Sequence, residues 1–378
     1  MTWKIVFWTS LACVFYAYAG YPLMLLAISA FRKRPVRKGV ITPPVSFIIT
    51  ACNEEQRIGG KIENTLAQDY PADKMEIIVA SDCSTDRTDE IAASYRDRGV
   101  MLVRAPEGKG KENAQKSAVR ASSGEILIFS DAATILRPDG VSDIVKNFHD
   151  TTVGCVSSVD RFIGRDGRAS GEGAYVRYEM FLRSLESEVN TLIGLSGSFF
   201  AARRQVCRDW AADLQSDFNT LLNSVRMGLR GVSDPESEGF YRDLANEKKE
   251  FERKVRTVVR GITVFMKSLP LLNPFRYGLF SWQLLSHKLC RWLVPFALLL
   301  ALIGNALIIS DSPLYLYSFL CQAVFYTVAL GGIWSGLFTK TGLLKIPAFF
   351  ILVNLSILSA WYRYARGERM VSWTPSRR

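Results

Sequence analysis

Apolar and polar positions separate along this chain into two regimes. At the start, Ile5 to Phe31 runs almost without charge, long enough to cross a bilayer core of roughly 30 Å at about 1.5 Å per residue. Near the end, three further apolar stretches fall at approximately Trp292–Ile309, Leu314–Phe338 and Ile346–Trp361, separated by short polar breaks. Between about residues 40 and 260 the pattern changes to short β-branched runs alternating with helical stretches, as in a parallel α/β sheet. It predicts strands at Val45–Ala51, Glu76–Ser81, Val100–Arg104, Glu125–Ser130 and Val153–Val159, with helices at about 54–68, 86–97 and 109–121. Together they form a doubly wound half-domain.

Charge sharpens this division. The chain carries a formal +11, and Arg32, Lys33, Arg34, Arg37 and Lys38 follow directly on the first apolar stretch. That placement points to anionic lipid and positive-inside topology rather than to nucleic acid. It predicts an outer N-terminus and a cytoplasmic domain. A cleaved signal peptide is the competing reading of the first stretch, but the stretch is too long for a signal core and lacks a small-residue cleavage site. Three C-terminal spans place the tail outside, whereas Arg363, Arg366, Arg369, Arg377 and Arg378 favour the inside, so the side of the tail stays open. Val264–Arg291, rich in Phe, Leu and Trp but broken by Pro270 and Pro274, reads as interfacial helices or as a linker. The expected domains are a spanning helix over residues 1–35, a cytoplasmic domain over 36–263, interfacial helices over 264–291 and a spanning region over 292–378. Seven scattered cysteines without CxxC spacing and two histidines fit reduced thiols better than a zinc site or a disulfide framework.

In a doubly wound sheet ligands sit beyond the carboxyl ends of the strands, and there the polar residues collect. The first strand ends in Ala51-Cys52-Asn53-Glu54-Glu55, the second in Ser81-Asp82-Cys83-Ser84-Thr85-Asp86, and the fourth in Ser130-Asp131. Helix capping accounts for one such cluster, and Asp86 is expected to cap the next helix; three clusters converging on one crevice suggest a binding site. Neither GxGxxG nor a Walker lysine motif is present, which disfavours dinucleotide enzymes and P-loop ATPases. An acidic crevice suits a divalent cation that bridges a diphosphate. Lys109 and Lys111, at a helix start, add positive charge.

These residues resemble glycosyltransferase family 2, the group that includes cellulose, chitin, hyaluronan and poly-N-acetylglucosamine synthases. The resemblance implies a GT-A-type nucleotide-sugar-binding domain joined to transmembrane helices. Ala51, Asn53 and Glu55 are similar to the family's opening nucleobase loop, Asp82 and Ser84 to its nucleoside-binding element, and Lys109 and Lys111 to its glycine-lysine segment near the diphosphate. Asp131-Ala132-Ala133 keeps the first acid of the DxD motif and loses the second, leaving Asp131 as the expected ligand for Mg2+ or Mn2+. Leu195-Ser196-Gly197-Ser198 resembles the acceptor-side segment, which implies that Ser196 and Gly197 meet the acceptor, and Asp217 stands where the family has its catalytic base. Ser216 is expected to cap the helix that holds Asp217. Arg253-Lys254-Val255-Arg256-Thr257 is an altered form of QxxRW, in which Arg253 and Arg256 remain to meet the diphosphate and the Trp is absent.

The resemblance implies inverting transfer from a nucleotide sugar, UDP-linked, to a growing polysaccharide at the cytoplasmic face of the membrane. The alternatives are transfer of single sugars to a polyprenyl-phosphate or other lipid-linked acceptor and a non-enzymatic subunit with a degenerate site. The expected partners are the nucleotide sugar, a glycan or lipid-linked acceptor and membrane lipids, with a second copy or a partner membrane subunit if the product is a polymer.

Overall fold

The computed structural model describes residues 1–105, 110–163, 174–242, 247–335 and 345–370. They form two compact units, a helical one of residues 1–24, 247–262, 281–335 and 345–369 and an α/β one of residues 25–242 and 263–280.

The strands of the α/β unit are β1 (Val45–Ala51), β2 (Met75–Ser81), β3 (Val100–Arg104), β4 (Ile126–Asp131), β5 (Ile135–Leu136), β6 (Val153–Ile163), β7 (Phe199–Arg203) and β8 (Arg230–Arg242). They make one sheet in the order β3-β2-β1-β4-β7-β6-β8-β5. The first four positions of that order are parallel, as expected. Beyond them the sheet is mixed: β7 runs antiparallel to β4 and β6, β8 parallel to β6, and β5 antiparallel to β8. The expected parallel half-domain is therefore one half of a larger GT-A-like mixed sheet. Burial on both faces explains why β1 reads as a continuous apolar run. Phe47 and Ile49 pack with Val79 and Ile128 in one core, while Ile48 packs with Ile78, Leu127 and Phe129 in another, following the period of two that alternates side chains across a strand.

The helices of this unit are α2 (Ile58–Leu66), α3 (Thr88–Ala93), α4 (Lys111–Ala121), α5 (Gly140–Lys146), α6 (Ala174–Val189) and α7 (Ser216–Arg226), preceded by α1 (Thr2–Phe31). The basic segment after α1 is bonded to the domain. Arg34 N donates to Glu188 O at 2.8 Å, and the Arg230 guanidinium donates to the carbonyls of Arg34 and Pro35 and to Asp150 Oδ2 at 2.6, 3.1 and 3.2 Å. Burial pushes the Asp150 carboxyl up, but Thr152, the Arg37 amide and Arg230 together outweigh it and hold the group at about 2.

In the helical unit, α1 is joined by α8 (Glu247–Met266), α9 (Leu279–Ile308), α10 (Pro313–Ile333) and α11 (Ile346–Ala365). Four of these, α1, α9, α10 and α11, are long and apolar enough to cross a membrane. The stretch expected to lie at the interface divides. Short turns occupy Leu269–Leu272 and Pro274–Tyr277, and Gly278, with φ 55°, ends them. From Leu279 onward no proline intervenes until Pro295, and the chain enters α9 directly. Phe7, Ala301, Ile308 and Tyr315 form one apolar cluster. Polar contacts also join the helices: Trp282 Nε1 donates to Tyr16 Oη at 2.9 Å, and the Asn305 amide group meets Ser318 Oγ at 2.9 Å. All seven cysteines are free.

Candidate active site

The register of the parallel strands assembles the first part of the site. Ala51 pairs with Ser81 and Thr50 with Asp131, so three strands end at one level. Asp82 N donates to Ala51 O at 2.8 Å, and Ala132 N to Thr50 O at 3.2 Å. The loops after β1 and β2 then bond to each other. Asn53 Oδ1 accepts from Thr85 N at 2.8 Å, Ser84 Oγ accepts from Asn53 N at 3.2 Å, and Glu55 Oε2 accepts from Arg87 N at 3.2 Å. Asp86 Oδ1 accepts from Thr88 N at 3.0 Å and its Oδ2 from Glu55 N at 3.1 Å; the N-cap of α3 is Arg87, so Asp86 meets the first helical amide from one residue before the cap expected of it. Asn53 and Cys83 both take left-handed backbone angles, φ 54° and 50°.

Asp82 is 1% exposed, and its Oδ1 accepts from the Gly110 amide at 2.7 Å. Gly110 caps α4 with φ 145°, a conformation L side chains rarely adopt. Lys111 follows in the first turn. Its Nζ reaches Asp131 Oδ1 at 2.5 Å and the Gly197 carbonyl at 2.8 Å, while the residue is only 8% exposed. Lys109 lies outside the described residues.

The antiparallel entry of β7 completes this edge. Because Phe199 pairs with Ser130, the segment preceding β7 emerges beside the carboxyl end of β4, and Asp131 N donates to Ser198 O at 3.0 Å. Ser196 N donates to Ser157 Oγ at 2.7 Å, and its hydroxyl donates to Asp160 Oδ1 at 2.6 Å. Asp217 stands in the first turn of α7, where helix amides favour a negative charge. A methyl group placed on Gly197 would lie 3.1 Å from Asp217 Oδ2, so the absence of a side chain at Gly197 keeps that carboxylate accessible. The cap differs from expectation. Gln215 is the N-cap, because Ser216 is already helical with its amide directed to Glu112 Oε1 at 3.4 Å, and no side chain caps the helix. Gln215 Nε2 instead donates to Asp217 Oδ2 at 3.2 Å.

The structure thus gathers Ala51, Asn53, Glu55, Asp82, Ser84, Lys111, Asp131, Ser196, Gly197 and Asp217 around adjoining strand and helix ends of the α/β unit. Arg253 and Arg256 lie on α8 in the helical unit, sharing a helix face with Arg260. Burial and the charges of Arg260 and Arg253 pull the Arg256 guanidinium below its ordinary value.

Three residues were not anticipated. Glu112 is 2% exposed and links the first turns of α4 and α7; it directly follows Lys111. Asp160 comes one residue after the predicted end of its strand, the same signal that marked Asp82 and Asp131. Lys61 is fully buried on α2, and its spacing with Ile58, Ile62 and Thr65 is that of a core-facing helix stripe. Burial pulls its ammonium down to about 7, with the charge of Asp131 opposing.

As for a divalent cation, Ala133 removes the second DxD acid, and among the described residues no three His, Cys, Asp or Glu side chains are grouped to hold an ion. Asp131, 29% exposed at its side chain, has one oxygen on Lys111. Asp131 is the carboxylate that would be left to hold such an ion, which would take its remaining oxygens from outside the protein.

Residues 46–210 match the family model described as glycosyl transferase family 2. The poly-beta-1,6-N-acetyl-D-glucosamine synthase of Staphylococcus aureus (strain COL) is 27% identical over 198 residues, covering 50% of this chain and 46% of the synthase. Succinoglycan biosynthesis protein ExoO of Rhizobium meliloti (strain 1021) is 24% identical over 214 residues, covering 53% of this chain and 60% of that protein. The chain spans about half the length of these curated relatives. Among solved structures, mannosyltransferase PcManGT from Pyrobaculum calidifontis, in complex with GDP-Man and Mn2+, has a TM-score of 0.72 at 22% identity, covering 96% of this chain and 99% of that one. That likeness is one of fold. With the family match lying over the strand ends just described, this chain carries the domain of a family 2 glycosyltransferase.

Proposed function

We propose that the chain moves a sugar from a nucleotide sugar, with UDP as the leaving nucleotide, to a growing polysaccharide, forming β-glycosidic bonds at the cytoplasmic face of its membrane. The observation that carries this reading is the position of Gly197, whose carbonyl accepts Lys111 Nζ at 2.8 Å and whose side-chain position adjoins Asp217. A buried ammonium and a carboxylate meet there across a residue without a side chain, which leaves room for a sugar.

Asp217 takes the proton of the acceptor hydroxyl as that oxygen bonds to the anomeric carbon. The bond from that carbon to the diphosphate oxygen breaks in the same displacement, so an α-linked donor gives a β-linked product. Lys111 is placed to stabilise the negative charge on the departing diphosphate. Ala51, Asn53, Glu55, Asp82 and Ser84 bind the nucleoside, with Lys109, Arg253 and Arg256 assigned to the diphosphate and Ser196 and Gly197 to the acceptor. Mg2+ or Mn2+ held by Asp131 supplies further neutralisation of the diphosphate.

A second reading, one sugar per encounter delivered to a polyprenyl-phosphate acceptor, draws on the loss of Trp from the altered QxxRW segment. Either way the four apolar helices exceed what attachment requires; for a polymer, a second copy or a partner membrane subunit is expected to complete the path. The decisive variant is Asp217→Asn, assayed with labelled nucleotide sugars. It should abolish transfer while UDP still binds as to the wild type, and turnover like that of the wild type would refute the assignment. The length of the wild-type product separates polymer from single transfer.

A further inference from the structure

We propose that Lys61 is a positioning residue for the donor diphosphate: a buried amine that fixes the Asp131–Thr134 turn and adds its positive charge to that subsite when the diphosphate is bound. This rests on the transferase reading above.

Lys61 is 0% exposed, yet its ammonium makes no ion pair among the described residues. Its Nζ donates to the Thr134 carbonyl at 2.7 Å and lies 5.1 Å from the centroid of the Phe47 ring. Thr134 N donates to Asp131 O at 3.1 Å, closing the turn whose first residue is Asp131. One helical turn along α2, Asn64 grips the next strand, its Oδ1 accepting from Leu136 N at 2.9 Å and its Nδ2 donating to Leu136 O at 2.8 Å. Two side chains of one helix face thus hold the backbone on which Asp131 stands.

A neutral donor would satisfy the Thr134 carbonyl equally well, so hydrogen bonding accounts for a polar atom here and leaves the charge unexplained. An ammonium withdrawn from water costs several kcal/mol, and for stability alone a neutral donor would serve better. Such a cost is typical of residues retained for function. The nearby carboxylate whose charge bears on Lys61 is Asp131, which already shares an oxygen with Lys111. Lys111 thus pairs with Asp131 at one end of the turn and Lys61 holds Thr134 at the other, and between them Ala133 stands where the family pattern has a second acid. The balance shifts toward positive charge, as a doubly negative diphosphate requires.

The test uses the full chain in detergent and compares Lys61→Met and Lys61→Gln with the wild type, titrating UDP with Mn2+ and, separately, uridine. Thermal unfolding is followed alongside. The charge should matter for UDP and not for uridine: both variants should lose about tenfold or more in UDP affinity and keep their uridine affinity, and Lys61→Gln, which can still donate to the Thr134 carbonyl, should unfold no earlier than the wild type. Undiminished UDP affinity overturns the proposal, as does a parallel loss for uridine or failure of both variants to fold, since each marks a purely structural lysine. If the wild type itself binds neither UDP nor another nucleoside diphosphate, the transferase reading fails and this inference with it.

Discussion

The proposed donor and acceptor sides of the site are built in different ways. On the donor side, Asn53, Asp82 and Ser84 follow directly on their own strands, and the bonds that shape their loops run between two adjacent loops. The acceptor side is assembled from distant parts of the chain: Gly197 ahead of β7, Asp160 at β6 and Asp217 on α7. One side is therefore set by local turn chemistry. The other depends on β7 entering antiparallel beside β4.

Lys111 is the side chain that touches both, through Asp131 and the Gly197 carbonyl, so Lys111→Ala breaks the comparison most directly. Removing one partner of a buried ion pair leaves the other charge uncompensated, and kcat/KM should fall roughly a thousandfold, within the range expected from that principle. Steady-state kinetics with donor and acceptor varied in turn would show losses in both; a loss confined to one would separate the two sides.

Asp82→Ala acts on the donor side alone. With the acceptor of the Gly110 amide gone, UDP affinity measured by calorimetry should drop by about a hundredfold, a hot-spot-sized effect. Asp131→Ala should weaken UDP binding less and, in addition, make it insensitive to EDTA. Persisting EDTA sensitivity would place the ion elsewhere.

Gly197→Ala sharpens the acceptor side. Its methyl group would lie 3.1 Å from Asp217 Oδ2, tight enough to displace the carboxylate by a few tenths of an ångström. Transfer should fall by about tenfold, on the order expected when a general base is misplaced, while UDP affinity and donor hydrolysis stay unchanged.

The smallest effect on catalysis is expected at Asp150, which braces the segment after α1 and belongs to neither side. Its carboxyl is held at about 2 in the folded protein, below the ordinary carboxylate value. The stability it contributes is therefore complete above the unfolded value near 4 and disappears as the pH falls toward 2. Asp150→Asn should lower the unfolding temperature at pH 7, with the gap from the wild type closing between about pH 4 and pH 2. Kinetic constants per folded molecule should match the wild type.

How far the sequence reveals this arrangement follows from burial. β1 lies where the apolar run places it, because a strand covered on both faces carries nearly uninterrupted apolar residues, and β3 keeps its expected bounds although it is the half-exposed edge strand. β8 is hidden. Its sequence, Arg230-Gly231-Val232-Ser233-Asp234-Pro235-Glu236-Ser237-Glu238, reads as a polar loop, and its pairing with β6 is interrupted by register shifts between Val153 and Cys155 and between Ser157 and Val159. The polar run is satisfied inside: Asp234 is fully buried and accepts from Lys38 Nζ, Asn147 Nδ2 and Ser237 Oγ, each at 2.7 Å. Strand-end carboxylates were legible because chemistry collects at the ends of parallel strands; Asp160 falls one residue past its predicted strand but lies inside β6, which runs on to Ile163. Lys61 was legible only as a break in pattern, a charge on the inward face of an amphipathic helix. The start of α9 was obscured by His287, Lys288 and Arg291, charges that resemble a surface helix until the helix is seen to run on from Leu279 without a break.

Asn53 and Cys83 carry left-handed backbone without being glycine, and the consequence concerns time. A loop bent into its working shape beforehand has no ordering step to complete after a nucleotide arrives. Capture is then limited by diffusion and orientation, and donors that differ in affinity should differ in residence time, leaving the site at unequal rates after entering it at similar ones.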